Sequence, residues 1–352
     1  MSSSSRTTSS PPPYREYDRR SEAGDVFVDG APPRRTDRPG LPPVVSTARG
    51  PRRLAARHPI ATFLVLGLSS AYALMLLWGL AYHGTIPGGS LADELHIAPD
   101  ELAGLLSVLG LFPTALFVIW AGEGPSGVTR HLRRMTHWRV NFGWWVLVLT
   151  GLPLLTTGSA VVLGHSVQPV DLFGMFVSQL GLLAINFVMV NFWEEAAWAG
   201  LFQTRLEARH NIFAIAVLSA VPFALAHLPL QFFLPGEVTA TTLVVAFILY
   251  FLVSALVRPM LATFLRGTGD SLLLVALLHS VFNRTNNDDG IVAALTSGDA
   301  RLIAMAVGPV LLTAAVAIPI RRRLTRSYRL KLDAASRYDR RDRPTAGGGT
   351  TD

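Results

Sequence analysis

Residues Asn191–Gly200 read NFWEEAAWAG, and the adjacent carboxylates Glu194 and Glu195 close an apolar run that begins near Leu172 and holds no other charge. Burying a charged side chain in hydrocarbon costs at least ~2.5–3.5 kcal/mol on insertion scales, so an acid at such a place marks a functional site by default. The rest of the chain is read by asking what these two carboxylates meet.

The setting of the run is set by composition. Half of the 352 residues are hydrophobic and only 16% are charged, against ~25% in soluble domains. The apolar residues fall in blocks. Besides Leu172 to roughly Ala199, blocks run over Pro59–Tyr82, Leu102–Ala121, Val140–Leu163, Ile212–Leu234, Thr241–Val257, Leu272–Leu295 and Leu302–Ile320. A helical span needs ~20 apolar residues. The pattern predicts an all-α, polytopic transmembrane helical bundle of about eight spans. Arg284, Asn286, Asn287, Asp288 and Asp289 interrupt the seventh block, which also reads as a shorter helix followed by a polar turn.

Loop charge sets the orientation. Arg130, Arg133, Arg134, Arg139, Arg205, Arg209 and Arg266 alternate with loops poor in Arg, and Arg321–Arg323 follow the last block; only Arg284 and Arg301 fall on the other side. Both termini are therefore expected in the cytoplasm of a multi-pass protein of the cell membrane. The segment 1–57 is rich in Ser, Pro and Arg and is expected to be a disordered basic tail. The membrane domain is expected over 58–320, and 321–352 reads as a second basic tail. The net charge of +7 is carried by Arg in tails and loops, which suits an anionic bilayer surface and not nucleic acid. The chain has no cysteine, which excludes disulfides, thiolate catalysis and Cys-ligated metal.

Of nine histidines, only His227 and His279 lie well inside apolar runs; His131, His137 and the others read as loop or helix-end positions. Arg258 is read as a helix-end residue that snorkels. The turn between the fourth and fifth spans lies near Arg209–His210. Glu194 precedes it by about 15 residues and His227 follows it by about 17, so at ~1.5 Å per residue an antiparallel pair holds them at similar height. His279 and Asn283, four apart, share a helical face, as do Phe223 and His227. A Glu, two His and an Asn in a low-dielectric cavity can activate water and stabilise an oxyanion.

These residues carry a resemblance. Glu194-Glu195, Phe223-x-x-x-His227 and His279-x-x-x-Asn283 stand in the order of the motifs of the CPBP family of intramembrane proteases, which includes the type II CAAX prenyl endopeptidases. GTGDSLLLVALLHSVFN before Asn283 and HWRVNFGWW at His137–Trp145 are similar to the family's sequences at those places. The resemblance covers roughly residues 130–320. It implies an intramembrane endopeptidase that cleaves a membrane-associated peptide or protein substrate. Catalysis would fall to Glu194, Glu195, His227, His279 and Asn283. The family's arginine, four residues after the second Glu, is here Ala199. Glu195 then needs another partner, Arg205 or a proton of its own. That departure supports an alternative, a catalytically inactive membrane scaffold or immunity protein of the same fold. A proton-coupled transporter ranks last, since no internal repeat is visible.

Glu194, His227 and His279 make a reasonable zinc set, yet no HExxH helix is present.

Overall fold

The computed structural model describes residues 50–320, except 208, 235, 297–302 and 304. Most of the two expected tails and Arg301 therefore lie outside the described residues. The chain is all-α. Among the described residues the β structure is a single bridge, Val167 to Thr296.

Eleven helical elements follow in order among the described residues. They are α1 (Pro51–Arg57), α2 (Pro59–Tyr82), α3 (Leu91–Leu95), α4 (Pro99–Met135), α5 (Phe142–Val162), α6 (Leu172–Leu206) and α7 (Ile212–Phe233). After these come α8 (Ala240–Gly267), α9 (Leu272–Asn286), α10 (Ile291–Leu295) and α11 (Met305–Ile320). Six of them, α2 and α4 to α8, are long and apolar enough to cross a membrane. The seventh expected block ends as a helix at Asn286, and a polar turn precedes α10. The segment expected to be without structure up to residue 57 instead ends in α1, where Pro51 sits in the first turn and needs no N–H partner.

Short polar side chains start most of the long helices. Asn141, Asp171, Asn211, Thr239 and Ser271 each accept a hydrogen bond from a backbone N–H of the first turn. In a helix that cannot turn to water, those N–H groups have few other partners. The breaks are equally local. The second expected block does not stop at Ala121 but runs on to Met135 through a kink at Gly124, whose φ of 68° suits glycine and which Pro125 follows. The sixth block runs past Val257 to Gly267.

The helices pack through two apolar clusters. One joins α2, α4 and the end of α6 around Phe63, Leu111, Trp198 and Phe202. The other joins α5, α6, α8, α9 and α11 around Leu152, Ala199, Phe264 and Leu278. Gly110 lets α4 cross α2 closely: a Cβ there would stand 2.4 Å from the Ala71 nitrogen, the small-residue contact that helix pairs in lipid rely on. By contrast the first half of α6 turns Phe173, Phe176 and Val177 outward. Its second half, with the two acids, is enclosed.

Candidate active site

The acids are placed by an irregular helix. Residues Phe187–Asn191 and Trp198–Gln203 of α6 are π-helical, and the regular turn Phe192–Ala197 between them carries Glu194 and Glu195. A π turn widens the helix and shifts its hydrogen-bond ladder, a feature frequent at functional sites. Carbonyls at the second π turn receive side-chain partners: Thr204 donates to the Ala199 oxygen at 2.8 Å and Arg134 to the Gly200 oxygen at 3.0 Å. Gly200 itself admits close neighbours. A Cβ there would meet His131 Cε1 at 2.5 Å and Leu272 Cδ1 at 2.9 Å. His131, expected in a loop or at a helix end, is buried within α4 because that helix continues past the kink.

Glu194 faces two histidines from two other helices. Its Oε1 lies 3.7 Å from His227 Nε2, and its Oε2 lies 3.5 Å from His279 Nδ1. Asn191 Nδ2 donates to Oε2 at 3.1 Å. Because a carboxylate only accepts, that bond fixes which end of the Asn191 amide is which. Asn191 Oδ1 then accepts from Ser280 at 3.0 Å and from Asn283 at 3.3 Å. Asn283 thus joins the cluster through Asn191, and it also donates to Asn186 at 3.4 Å.

The tautomer of His227 follows from its other nitrogen. Nδ1 lies 2.8 Å from the Phe223 carbonyl oxygen. A carbonyl can only accept, so Nδ1 carries a hydrogen and the neutral ring turns a bare Nε2 toward Glu194. The Phe-x-x-x-His spacing supplies this bond, since residue i+4 of a helix sits over the carbonyl of residue i. The Phe223 ring also stacks on His227, with centroids 4.4 Å apart.

Glu195 is fully buried and has a cation that the sequence reading assigned elsewhere. Arg258 Nη1 donates to both of its oxygens at 2.9 Å, and His279 Nδ1 lies 2.8 Å from Oε1. Arg258 does not snorkel. It is 1% exposed, within α8, and its guanidinium carbon lies 4.7 Å from the Phe223 ring centroid and 5.9 Å from that of Trp198. Those ring faces meet the part of the guanidinium that finds no oxygen acceptor among the described residues. Arg205, one of the expected partners of Glu195, pairs instead with Glu123, which Arg130 also reaches. Arg266 pairs in the same way with Glu207.

Asn186, Asn191, Ser280 and Arg258 are the members of the site that sequence reasoning missed. Arg258 had one signal: an arginine enclosed by VSALV and PMLATFL is as costly as the acids and calls for one of them. Asn191 had a weaker one, three residues before Glu194 on the same helical face.

One ligand atom from each of Glu194, Glu195 and His279 lies within 4.8 Å of the others, and all three residues are buried, so this group could hold a metal ion. Two carboxylates and an imidazole fit the donor preferences of a divalent cation. The same atoms already carry hydrogen bonds, since Arg258 engages both Glu195 oxygens. His227, expected in the metal set, stands outside this group at 3.7 Å from Glu194.

Residues 176–285 match the family model of the type II CAAX prenyl endopeptidase Rce1-like proteins. The match spans every residue of the cluster, from Asn186 to Asn283, and bears out the resemblance over a narrower stretch than 130–320. No curated protein matches the chain.

Proposed function

We propose that this chain is an intramembrane endopeptidase that hydrolyses a peptide bond of a membrane-associated substrate with water activated by Glu194 and His227. The observation that carries this reading is the position of Glu194. It is a buried carboxylate held by Asn191 and flanked by two imidazoles from separate helices. The family match over residues 176–285 supports protease chemistry at the level of the family.

The proposed steps use only side chains of this chain. A water about 2.8 Å from both Glu194 Oε1 and His227 Nε2 donates one hydrogen to each. Glu194 takes a proton as general base, and the hydroxide attacks the carbonyl carbon. His279, donating from Nε2 in its imidazolium form, stabilises the oxyanion, and the Asn283 amide joins it by giving up its 3.4 Å bond to Asn186. Glu194 then returns its proton to the leaving amine as the C–N bond breaks. His227 keeps its orientation throughout because Nδ1 is tied to the Phe223 carbonyl. Glu195 and Arg258 touch no reacting atom in this scheme. Glu195 holds His279 by its Nδ1, and Arg258 holds Glu195. If a divalent metal binds, Glu194, Glu195 and His279 would hold it, and it would supply Lewis-acid polarisation of water or carbonyl.

The inactive-scaffold alternative rested on Ala199. Arg258 supplies from α8 the cation missing at residue 199, so that observation no longer favours it. The test uses full-length protein in detergent or liposomes. The probes are internally quenched peptides ending in an S-prenylated cysteine followed by three residues, beside an unprenylated set. Cleavage by the wild type and its loss in Glu194→Ala are expected; undiminished cleavage by Glu194→Ala would sink the proposal.

A further inference from the structure

The catalytic cluster is closed on most sides. The Glu194, Glu195 and His279 side chains are at most 8% exposed, whereas His227 is 25% exposed. The His227 ring is thus the most open side of this group, and a substrate can reach Glu194 past it. Two polar side chains stand at that edge. The Tyr250 ring of α8 lies 5.5 Å from His227, centroid to centroid. Gln231, four residues beyond His227 in the 3-10 turn that ends α7, donates from Nε2 to the Tyr250 oxygen at 2.9 Å.

This bond leaves a specific remainder. Tyr250 accepts from Gln231, so its own hydrogen is unspent. Gln231 gives one of its two amide hydrogens and its Oε1 is unspent; Asp100 acts on Tyr250 through its charge, with no hydrogen bond between them among the described residues. One donor and one acceptor side by side complement the C=O and N–H of one residue of an extended chain, which point to the same side of the strand.

We infer that Tyr250 and Gln231 form a subsite that grips the C=O and N–H of one residue of an extended substrate beside the scissile bond. Tyr250 donates to that residue's carbonyl, and Gln231 Oε1 accepts from its N–H. The Tyr250 ring stands beside that of His227 and an extended chain advances ~3.3 Å per residue, so the pair meets a residue close to the bond cut. The pair reads backbone and not side chain. It therefore selects unfolded or extended segments of any sequence. The inference rests on the endopeptidase reading.

The experiment is an N-methyl scan on the peptide that the wild type cleaves. Each amide near the cut is methylated in turn, and kcat and KM are measured for wild type, Gln231→Leu and Tyr250→Phe. In the wild type, one position is expected to raise KM about five- to tenfold, the size of one net hydrogen bond. Gln231→Leu is expected to raise KM for the parent peptide by a similar factor and to be insensitive to methylation at that position alone. A purely structural role for the bond would slow all peptides equally and leave the scan unchanged, which overturns the inference. Cleavage with no position-dependent loss in the wild type overturns it too. A wild type that cleaves no probe refutes the endopeptidase reading and takes this subsite with it.

Discussion

Replacing Arg258 separates stability from chemistry. The guanidinium is 1% exposed and donates twice at 2.9 Å to a carboxylate that is 0% exposed. Removing one partner of a buried pair costs about 3–5 kcal/mol, because the other charge stays behind unpaired. Arg258→Met is therefore expected to lower the Tm of the detergent-solubilised protein by roughly 6–20 °C, on the scaling for domains of about 150–250 residues. It should also abolish cleavage, since Glu195 no longer fixes His279. The double variant Glu195→Gln/Arg258→Met removes both charges of this pair. It should recover most of the Tm, as isosteric replacement of a buried pair is often neutral, but not cleavage. Thermal unfolding and peptide cleavage, run side by side, read these out. Wild-type Tm and activity in Arg258→Met would refute the reasoning.

Three more outcomes are expected. Asn191→Leu should reduce kcat roughly 10- to 100-fold with little change in KM. A hydrogen bond to a charged group is worth about 1.5–3 kcal/mol, and Asn191 holds Glu194 at 3.1 Å; an unchanged kcat would show that Glu194 orients itself. Gly110→Ala should destabilise the packing of α2 on α4 by about 1–3 kcal/mol, the usual cost of overpacking, because its Cβ would press on Ala71 backbone at 2.4 Å; unfolding measurements on the purified protein check it. Cleavage should survive 1,10-phenanthroline, since Arg258 already engages both oxygens of Glu195. Loss that zinc restores would instead place a metal on Glu194, Glu195 and His279.

Much of the architecture is legible from residues alone, because a bilayer imposes simple rules on a chain. Backbone groups without water must satisfy one another, so blocks of apolar residues become helices. Short polar residues such as Asn211 and Ser271 mark where they begin. Helical spacing likewise placed Phe223 under His227 and put Glu194 level with it across a hairpin. Boundaries were less legible. The helix holding His131 runs on past its apolar block through Gly124 and Pro125, and α8 runs through Arg258, because continuation depends on what lies alongside and not on hydropathy.

The sequence by itself determined an all-helical protein with two acids, two histidines and an asparagine collected inside it. Only the tertiary structure decided how they are shared out. It gave Glu194 to His227 and Asn191, and Glu195 to Arg258, 63 residues away along the chain. The reason is physical: a buried charge requires a counter-charge within a few ångströms, but any packed helix can deliver it. At Ala199 the local motif lacks its cation, and a facing helix supplies one.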